Sequence, residues 1–259
     1  MPELPDLNVF ARNLDKKLAG KKVKRIEVEN KRKLKVPVSI LKKGIEGSRL
    51  NKIYREGKEL RYEFANGNVL GMHLMLHGKL DLLDDSTEKK NTIVEMHFDK
   101  NNVLALSDYQ GAANIALNPE AKEAPDALSD DVDYKYLKEK LSKKRTNIKA
   151  FLLDQKMIRG IGNAYADEIL WKARIHPQSV CKKIPDNKIK KLAREIKSVL
   201  KDAEKQILKI KPDIISGEER SFLKIHNAKK KESPTGGRIQ NKKFNSRITY
   251  FTGEQELYK

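Results

Sequence analysis

The chain of 259 residues is long enough for one large domain or two domains of ordinary size, and either arrangement can bury a hydrophobic core. It contains 55 lysines and arginines against 36 acidic residues, and the net charge of +19 favours a polyanionic partner such as nucleic acid, the alternative being a lysine-rich solvated surface. The single cysteine, Cys181, excludes an intramolecular disulfide and a zinc site with several cysteines, and no apolar run reaches the roughly 20 residues of a membrane span.

A helix followed by a run of strands is predicted for the first part of the chain. Residues 6–19 predict an amphipathic helix with Asp6 as N-cap and Gly20 after its end. Its apolar face comprises Leu7, Phe10, Leu14 and Leu18. Residues 21–118 carry short strand patterns, and the segments 64–69, with its Asn-Gly pair, and 98–103 predict hairpins. Residues 119–133, which are rich in acids and contain two prolines, indicate a linker.

The second part of the chain is predicted to be mainly helical. Helical periodicity dominates from Tyr134 to about Lys211. Residues 212–259 return to turns rich in glycine, serine and asparagine, with short strands such as 247–251. The sequence therefore predicts an α+β fold with two domains.

The first residues, Met1-Pro2-Glu3-Leu4-Pro5-Asp6, carry a candidate nucleophile. A small residue after the initiator permits removal of Met1, which would leave Pro2 as a secondary amine beside a carboxylate. An α-amino group titrates near pH 8, about two units below lysine, so more of it is the free base at neutral pH. Attack on a sugar aldehyde carbon would give a cationic iminium, an electron sink for breaking neighbouring bonds. The alternative is that Pro2 merely precedes the first helix.

A second signal is the turn Gly160-Ile161-Gly162-Asn163, which ends one apolar helix and begins another within residues 152–170. Glycines let the backbone approach a phosphate, and N–H groups at a helix start attract an anion. The side chain of Asn163 adds a donor without base preference. The alternative interpretation is a tight turn between two helices with no ligand.

These two segments, together with Gly57-Lys58, the segment 175–177 and the tail 247–251, resemble the formamidopyrimidine-DNA glycosylase / endonuclease VIII family over the whole chain. The resemblance implies an N-terminal catalytic β-sandwich domain with flanking helices over residues 1–118 and a linker over 119–133. It further implies a helix–two-turn–helix DNA-binding domain over 134–225 and a β-hairpin finger over 226–259.

The resemblance also implies roles for single residues. Pro2 matches the nucleophile that attacks C1′ of the damaged nucleotide, and Glu3 matches the acid that moves protons beside it, although Glu3 alone would be an ordinary surface acid. Lys58 matches a lysine that contacts phosphate at the lesion, the alternative being a solvated cation. DNA-binding roles fall on Gly160, Gly162, Asn163 and Arg247. Glu168 matches a structural acid at the turn, and His73 is expected to be structural.

The finger departs from the family pattern. Members usually bind zinc there with two Cys-x-x-Cys pairs, whereas the matching positions in this chain are Ser233, Gly236, Thr252 and Gln255. We therefore expect a zincless finger, no metal and no cofactor. The packing of Ile248, Tyr250 and Phe251 is expected to shape the hairpin in place of the metal.

Two further departures bear on the lesion. The Arg and Phe that some members insert beside a flipped base correspond to Gln110 and Ala112, so we expect Leu76, in the earlier loop 75–77, to enter the DNA as the wedge. The loop that closes over 8-oxoguanine in members specific for that base is short here, over residues 211–222. The resemblance therefore shifts the expected substrate toward oxidised pyrimidines, ring-opened purines or abasic sites.

The resulting hypothesis is a bifunctional DNA glycosylase/AP lyase of base excision repair, closer to endonuclease VIII. It would remove oxidised bases, pyrimidines favoured, through a Schiff base at the N-terminal proline with β,δ-elimination. The expected partner is double-stranded DNA with damaged bases or abasic sites. We expect a monomer that contacts no membrane and lies in the cytoplasm, associated with the bacterial nucleoid. The alternatives are a non-catalytic or AP-lyase-only binder of damaged DNA, and a basic RNA-binding protein, which would explain the charge but not the N-terminal pair.

Overall fold

The computed structural model describes residues 1–84, 90–99, 102–244 and 246–259, with Lys33 described by its backbone alone. The chain folds into two compact units. The first unit comprises residues 1–2, 6–121 and 207–218, and the second comprises residues 3–5, 122–206 and 219–259. The α+β class with two domains is thereby confirmed, while the boundaries predicted within the chain stay predictions.

Helix α1 spans Leu4–Leu18 and so begins two residues before the predicted start. Asp6 is therefore a buried residue of the first turn and not the N-cap. Pro5 explains the earlier start, because a proline is tolerated in a first turn whose N–H groups need no helical partner. The predicted apolar face is confirmed: Leu7, Phe10, Leu14 and Leu18 are at most 1% exposed. Gly20, at φ +83°, follows the helix end.

Two antiparallel four-stranded sheets form most of the first unit. The strands are β1 Val23–Val28, β2 Leu50–Glu56, β3 Glu59–Phe64, β4 Val69–His73, β5 Lys79–Asp84, β6 Thr92–Phe98, β7 Asn102–Ser107 and β8 Asn114–Leu117. One sheet has the order β1-β6-β7-β5 and the other β2-β3-β4-β8. The hairpins predicted at 64–69 and 98–103 are confirmed as β3–β4 and β6–β7, although residues 100 and 101 of the second turn lie outside the described residues.

The core of the first unit lies between these sheets and two helices. Helix α2, Val38–Ile45, contributes Leu41 and Ile45 to the same buried cluster as α1 and the strands. A short 3-10 helix, Lys31–Lys33, precedes α2. The segment after residue 206 also belongs here, because Asn13 donates hydrogen bonds to the carbonyl oxygens of Pro212 and Ile214, both at 2.8 Å.

Helices dominate the second unit, as predicted. They are α3 Tyr134–Ser142, α4 Ile148–Leu153, α5 Asn163–Ala173 and α6 Asp186–Ile210, whose last turn falls in the first unit. A terminal hairpin follows, with β9 Ile239–Phe244 and β10 Arg247–Thr252 paired antiparallel. Helix α5 is buried along almost its whole length and contributes six residues to the apolar cluster of this unit. No helix among the described residues is long and apolar enough to cross a membrane.

Candidate functional site

The carboxylate of Glu3 lies at the N-terminus of α5. One carboxylate oxygen accepts the backbone N–H of Ala164 at 2.9 Å and the other accepts that of Tyr165 at 3.3 Å. Glu3 is buried, so these contacts hold its side chain away from water. The first-turn N–H groups of a helix are partly positive and lack helical partners, and they stabilise a carboxylate in this position. The residue next to Pro2 in the chain is thus fixed in place.

Close packing explains both glycines of the predicted turn. A Cβ at Gly162 would overlap the carboxyl group of Glu3, and a Cβ at Gly160 would lie 2.5 Å from a methyl group of Leu4. Gly160 also has φ +103°, in the left-handed region that favours glycine. The expectation that the helix-start N–H groups face an external phosphate is wrong for Ala164 and Tyr165, because Glu3 of the same chain occupies them.

Asn163 and Arg247 lie on neighbouring elements of the second unit. The side chain of Asn163 donates a hydrogen bond to the carbonyl oxygen of Ile248 at 3.0 Å, which ties the start of α5 to β10. Arg247 is exposed and begins β10. It lines a cavity of about 160 Å³ together with Asn147 and Lys149. Asn163 and Arg247, both predicted to bind DNA, therefore lie close together, because Asn163 bonds to the residue that follows Arg247 in β10.

A buried ion pair behind this cavity was not predicted from the sequence. Lys149 of α4 lies 2.6 Å from a carboxylate oxygen of Asp167 of α5, and its ammonium group donates a hydrogen bond to the Thr249 hydroxyl at 2.8 Å. The other oxygen of Asp167 accepts the N–H of Tyr250 at 2.9 Å and lies 2.8 Å from Nδ1 of His226. Burial lowers the pKa of Lys149, and Asp167 offsets part of that change. The sequence did offer one signal for this ion pair: Lys149 and Asp167 are charged residues within two otherwise apolar helices.

Glu168 is structural, as the resemblance implied. Its buried carboxylate accepts three backbone N–H groups at 2.8–2.9 Å, those of Lys224, Ile225 and His226. Burial raises the pKa of Glu168, and the three donors offset part of the rise. The side chain thus holds residues 224–226 against α5.

A second carboxylate organises the base of the terminal hairpin. Glu254 accepts hydrogen bonds from Ser233 at 2.8 Å, Thr235 at 2.5 Å, Thr252 at 3.0 Å and Trp171 at 3.1 Å. Arg174 pairs with it at 2.8 Å. Burial acts to raise the pKa of Glu254, but these donors outweigh it and lower the pKa to about 2.

The expectation that Ile248, Tyr250 and Phe251 pack to shape the finger is wrong for one of the three residues. Ile248 is 53% exposed, whereas the rings of Phe251 and Tyr250 contact those of His176 and His226 at centroid distances of 4.7 and 4.8 Å. Two of the positions that correspond to zinc ligands in the family, Ser233 and Thr252, instead donate to Glu254. A third, Gln255, accepts the N–H of Thr252 and donates to the carbonyl oxygen of Ile175, both at 2.9 Å. Hydrogen bonds to a carboxylate are stronger than neutral ones and can hold a short hairpin base.

Pro2 and Lys58 belong to the first unit. Pro2 is buried, and the ammonium group of Met1 bonds to the carboxylate of Glu218. Lys58 is half-buried in the turn between β2 and β3, where Gly57 has φ +58°. While Met1 is attached, the nitrogen of Pro2 is a tertiary amide and cannot act as a nucleophile.

The loop with the predicted wedge also belongs to the first unit. Leu76 is 58% exposed. His73 is structural, as expected, since its Nδ1 accepts the N–H of Met75 at 3.0 Å. The predicted wedge residue is therefore an exposed apolar side chain on an anchored loop.

Among the described residues, one cluster of three side chains has the residue types and the spacing that could bind a metal ion. Glu27 of β1 and Glu95 and His97 of β6 place ligand atoms within 4.8 Å of each other. The imidazole Nε2 of His97 lies 3.4 Å from both carboxylates, and Arg25 pairs with Glu27 at 2.9 Å. Because the Arg25 guanidinium already pairs with Glu27 and the three side chains lie on paired strands, we interpret the group as a cross-strand polar cluster.

Comparisons with known proteins agree with this arrangement. Residues 1–115 match the family model of the formamidopyrimidine-DNA glycosylase N-terminal domain, and residues 124–211 match that of the formamidopyrimidine-DNA glycosylase H2TH domain. The formamidopyrimidine-DNA glycosylase of Desulforamulus reducens is 31% identical, over 97% of each chain. That of Lactobacillus gasseri is 33% identical, over 80% of this chain and 78% of the relative.

Solved structures of the Lactococcus lactis formamidopyrimidine-DNA glycosylase match the fold. A complex with DNA containing an abasic site has a TM-score of 0.86 at 27% identity, and a complex with DNA containing Fapy-dG has a TM-score of 0.87 at 30% identity. Each covers 98% of this chain and 100% of the solved chain. The fold is that of a DNA glycosylase of base excision repair. The chain belongs to the formamidopyrimidine-DNA glycosylase family.

Proposed function

We propose that this protein is a bifunctional DNA glycosylase/AP lyase that acts on double-stranded DNA with damaged bases or abasic sites. The observation that carries the proposal is the fixed carboxylate of Glu3, which is held by two N–H groups of α5 and directly follows Pro2 in the chain. An amine nucleophile beside a positioned acid is what a Schiff-base mechanism requires. The solved relatives with abasic or damaged DNA support the same substrate class.

The proposed reaction begins after removal of Met1. The amine of Pro2 attacks C1′ of the damaged nucleotide and the glycosidic bond breaks, while Glu3 takes the proton that the Pro2 nitrogen loses and passes it to the leaving base. The nitrogen lone pair then forms the iminium as the bond from C1′ to the ring oxygen O4′ breaks and O4′ takes up a proton, and loss of a C2′ proton from the iminium expels the 3′ phosphate (β). A second elimination expels the 5′ phosphate (δ). Glu3 moves protons in these steps, and such catalysis typically contributes about 10²–10⁴-fold.

The proposed grip on DNA uses donors from both units. In the second unit, Asn163 and Arg247 contact the phosphate backbone, while Gly160 and Gly162 shape the turn that presents Asn163. In the first unit, Lys58 contacts phosphate and Leu76 enters the duplex. The charge of +19 supports a phosphate-dominated interaction, which carries little sequence preference. We propose that the protein acts as a monomer in the cytoplasm, where its substrate DNA lies.

Lesion preference is a further part of the proposal. The connection 211–222 is short and held to the first unit, since Asn13 donates to two of its carbonyl oxygens and the Ser216 hydroxyl accepts the N–H of Leu80 at 3.0 Å. A tethered connection has little freedom to close over a large purine. We therefore propose an endonuclease VIII-like preference for oxidised pyrimidines or abasic sites over 8-oxoguanine, with a zincless finger built on Glu254.

Borohydride trapping tests the proposal. The purified protein is incubated with duplexes that carry thymine glycol, dihydrouracil, 8-oxoguanine or an abasic site, and the adduct is located by mass spectrometry. We expect an adduct on the Pro2 peptide and faster trapping with the pyrimidine lesions and the abasic site. Trapping with the abasic site alone would favour an AP lyase without glycosylase activity. Binding without any adduct would favour a non-catalytic binder.

A further inference from the structure

Two short segments of the second unit, residues 143–147 and 178–183, carry a cluster of positive charge. Neither segment contains an acidic residue. Together they contribute five cationic side chains that are at least partly exposed to solvent, and we call these the basic patch: Lys143, Lys144, Arg145, Lys182 and Lys183. A cluster of this kind is either an ordinary solvated surface or a contact surface for a polyanion.

Backbone hydrogen bonds hold the two segments of the basic patch side by side. The N–H of Lys182 donates to the carbonyl oxygen of Lys144, and the N–H of Cys181 donates to that of Thr146, both at 3.1 Å. The two segments therefore run antiparallel, and their cations are neighbours in space although they lie almost forty residues apart in the chain. Like charges at neighbouring positions repel each other, so the fold holds this patch together against its own electrostatic repulsion.

The basic patch also differs from the lysines around it in its lack of acidic partners. None of its five charged groups forms an ion pair with an acid of the described residues. Nearby lysines are paired: Lys138 lies 2.6 Å from a carboxylate oxygen of Asp186, and Lys188 lies 3.3 Å from one of Glu256. The negative charge that balances the patch therefore comes from counterions or from a partner, and a polyanion that replaces those counterions gains entropy from their release.

The basic patch adjoins the residues of the proposed DNA grip in the same unit. Asn147 and Gln178, each at one end of its segment, line the same cavity of about 160 Å³ as Arg247. Arg145 lies only two residues before Asn147, so their Cα atoms are at most about 8 Å apart. A DNA strand whose phosphate contacts Arg247 and that continues past this cavity meets the patch with its next phosphates.

We propose that the basic patch binds the phosphate backbone of one duplex arm beyond the lesion and so extends the grip of the second unit along the DNA. The inference rests on the proposed function, because Arg247 defines where the strand enters. Recognition is by charge alone: the lysines act as point charges, and the guanidinium of Arg145 can donate two hydrogen bonds to one phosphate. The contact carries no base preference, and it strengthens binding to damaged and undamaged duplexes alike.

The double variant Arg145→Gln/Lys182→Gln tests the proposal, because it removes one exposed cation from each segment. Binding is measured over a salt series on a duplex with a central abasic-site analogue and two arms of about 20 bp, roughly two helical turns each. Each lost phosphate contact reduces the salt slope by about 1, so the double variant should reduce it by about 2. Its melting temperature should not fall, because the two changes relieve repulsion at the surface.

The matched control is Lys201→Gln/Lys205→Gln, which removes two exposed lysines from α6 in the same unit. It lowers the net charge by the same amount as the patch variant, so any effect of overall charge is equal in both. The control should keep the wild-type salt slope. A lower slope in the patch variant alone therefore reports a local phosphate contact and not the general field of a basic protein.

Duplexes with one uncharged arm locate the contact. Methylphosphonate linkages replace the phosphates of one arm or of the other, while the phosphates that flank the lesion keep their charge. With one arm neutral, the patch variant and the wild type should bind equally, since the contact is then absent from both; with the other arm neutral, their difference should persist.

The outcomes separate this proposal from the proposed function. Equal salt slopes for the patch variant and the wild type would mean that the patch is a solvated surface and would overturn the inference. A difference that persists whichever arm is neutral would place these cations at the lesion or on a second DNA molecule, and it would overturn the inference as well. Absence of a borohydride-trapped adduct for the wild type would overturn the enzyme, whereas a slope difference confined to one arm would still support the surface.

Discussion

Gly162 leaves the space that the carboxyl group of Glu3 occupies, since a Cβ at position 162 would overlap it. The backbone of Gly162 has an ordinary φ of −122°, so space and not conformation requires glycine here. The turn before α5 and the second residue of the candidate catalytic pair are therefore fitted to each other. A substitution at either residue should therefore displace the other.

Gly162→Ala should displace Glu3 from the N–H groups of Ala164 and Tyr165. We expect a loss of about 1–3 kcal/mol in the free energy of unfolding from overpacking, together with a large drop in base excision. Thermal melting and single-turnover kinetics measure the two effects. Gly253→Ala is the control, because a Cβ there meets nothing within 4 Å. Wild-type excision by Gly162→Ala would show that the position of Glu3 does not matter for the reaction.

Glu3→Gln tests the proton-transfer role more directly. The amide nearly preserves the shape of the side chain but cannot deliver or take up the proton, so base excision should fall by about 10²–10⁴-fold while DNA binding persists. Cleavage of a preformed abasic site should survive in part. The exposed Glu120→Gln serves as the control for loss of one negative charge. If Glu3→Gln excises bases at the wild-type rate, the carboxylate serves only to cap α5.

Local patterns predicted the elements of the fold well. The spacing of Leu7, Phe10, Leu14 and Leu18 identified the buried face of α1, and the Asn-Gly pair identified the β3–β4 hairpin. Both signals depend on residues close together in the chain, where period and turn chemistry decide the structure. The start of α1 was misplaced because Asp6 resembles an N-cap whether or not two further residues join the helix.

Contacts between residues far apart in the chain could not be predicted from such local patterns. The sequence identified Gly160 and Gly162 as a close-approach turn, but only the fold shows that Glu3 and Leu4 make the approach. The exposed position of Ile248 depends likewise on the register of the terminal hairpin. Apolar residues within a short strand look alike in sequence whether they face the core or the solvent.

Removing one partner of the buried Lys149–Asp167 ion pair should lower the free energy of unfolding, because the other charge is then buried alone. Lys149→Met would leave the carboxylate of Asp167 buried without its nearest cation, and the loss should be about 3–5 kcal/mol in the free energy of unfolding. The double variant Lys149→Met/Asp167→Leu should recover part of this loss. A double-mutant cycle by chemical denaturation measures the coupling. Additive effects of the two single changes would contradict direct pairing.

DNA binding should depend steeply on salt if phosphate contacts dominate. The logarithm of the affinity should fall with a slope of about −0.9 per phosphate neutralised, and Arg247→Ala should reduce that slope by about 1. Asn163→Ala should weaken binding to all sequences, because its proposed contact is with the phosphate backbone, and it should also remove the hydrogen bond to the carbonyl oxygen of Ile248. Fluorescence anisotropy over a salt series measures both. An affinity that does not change with salt would refute a phosphate-dominated grip.

Glu254 should make the hairpin base independent of metal but sensitive to acid. Its pKa of about 2 lies below the ordinary value of 4.5, so the unfolded chain binds more protons between these values and stability must rise with pH there. The contribution of Glu254 is therefore present above about pH 4.5 and is lost as the pH falls toward 2. Glu254→Gln should remove this pH dependence and lower the melting temperature at neutral pH.

Chelators should leave the melting temperature of the wild type unchanged, because Ser233, Thr252 and Gln255 offer no thiolate to zinc. One zinc per chain in elemental analysis, or a melting temperature that falls with chelator, would mean that a metal and not this carboxylate holds the hairpin.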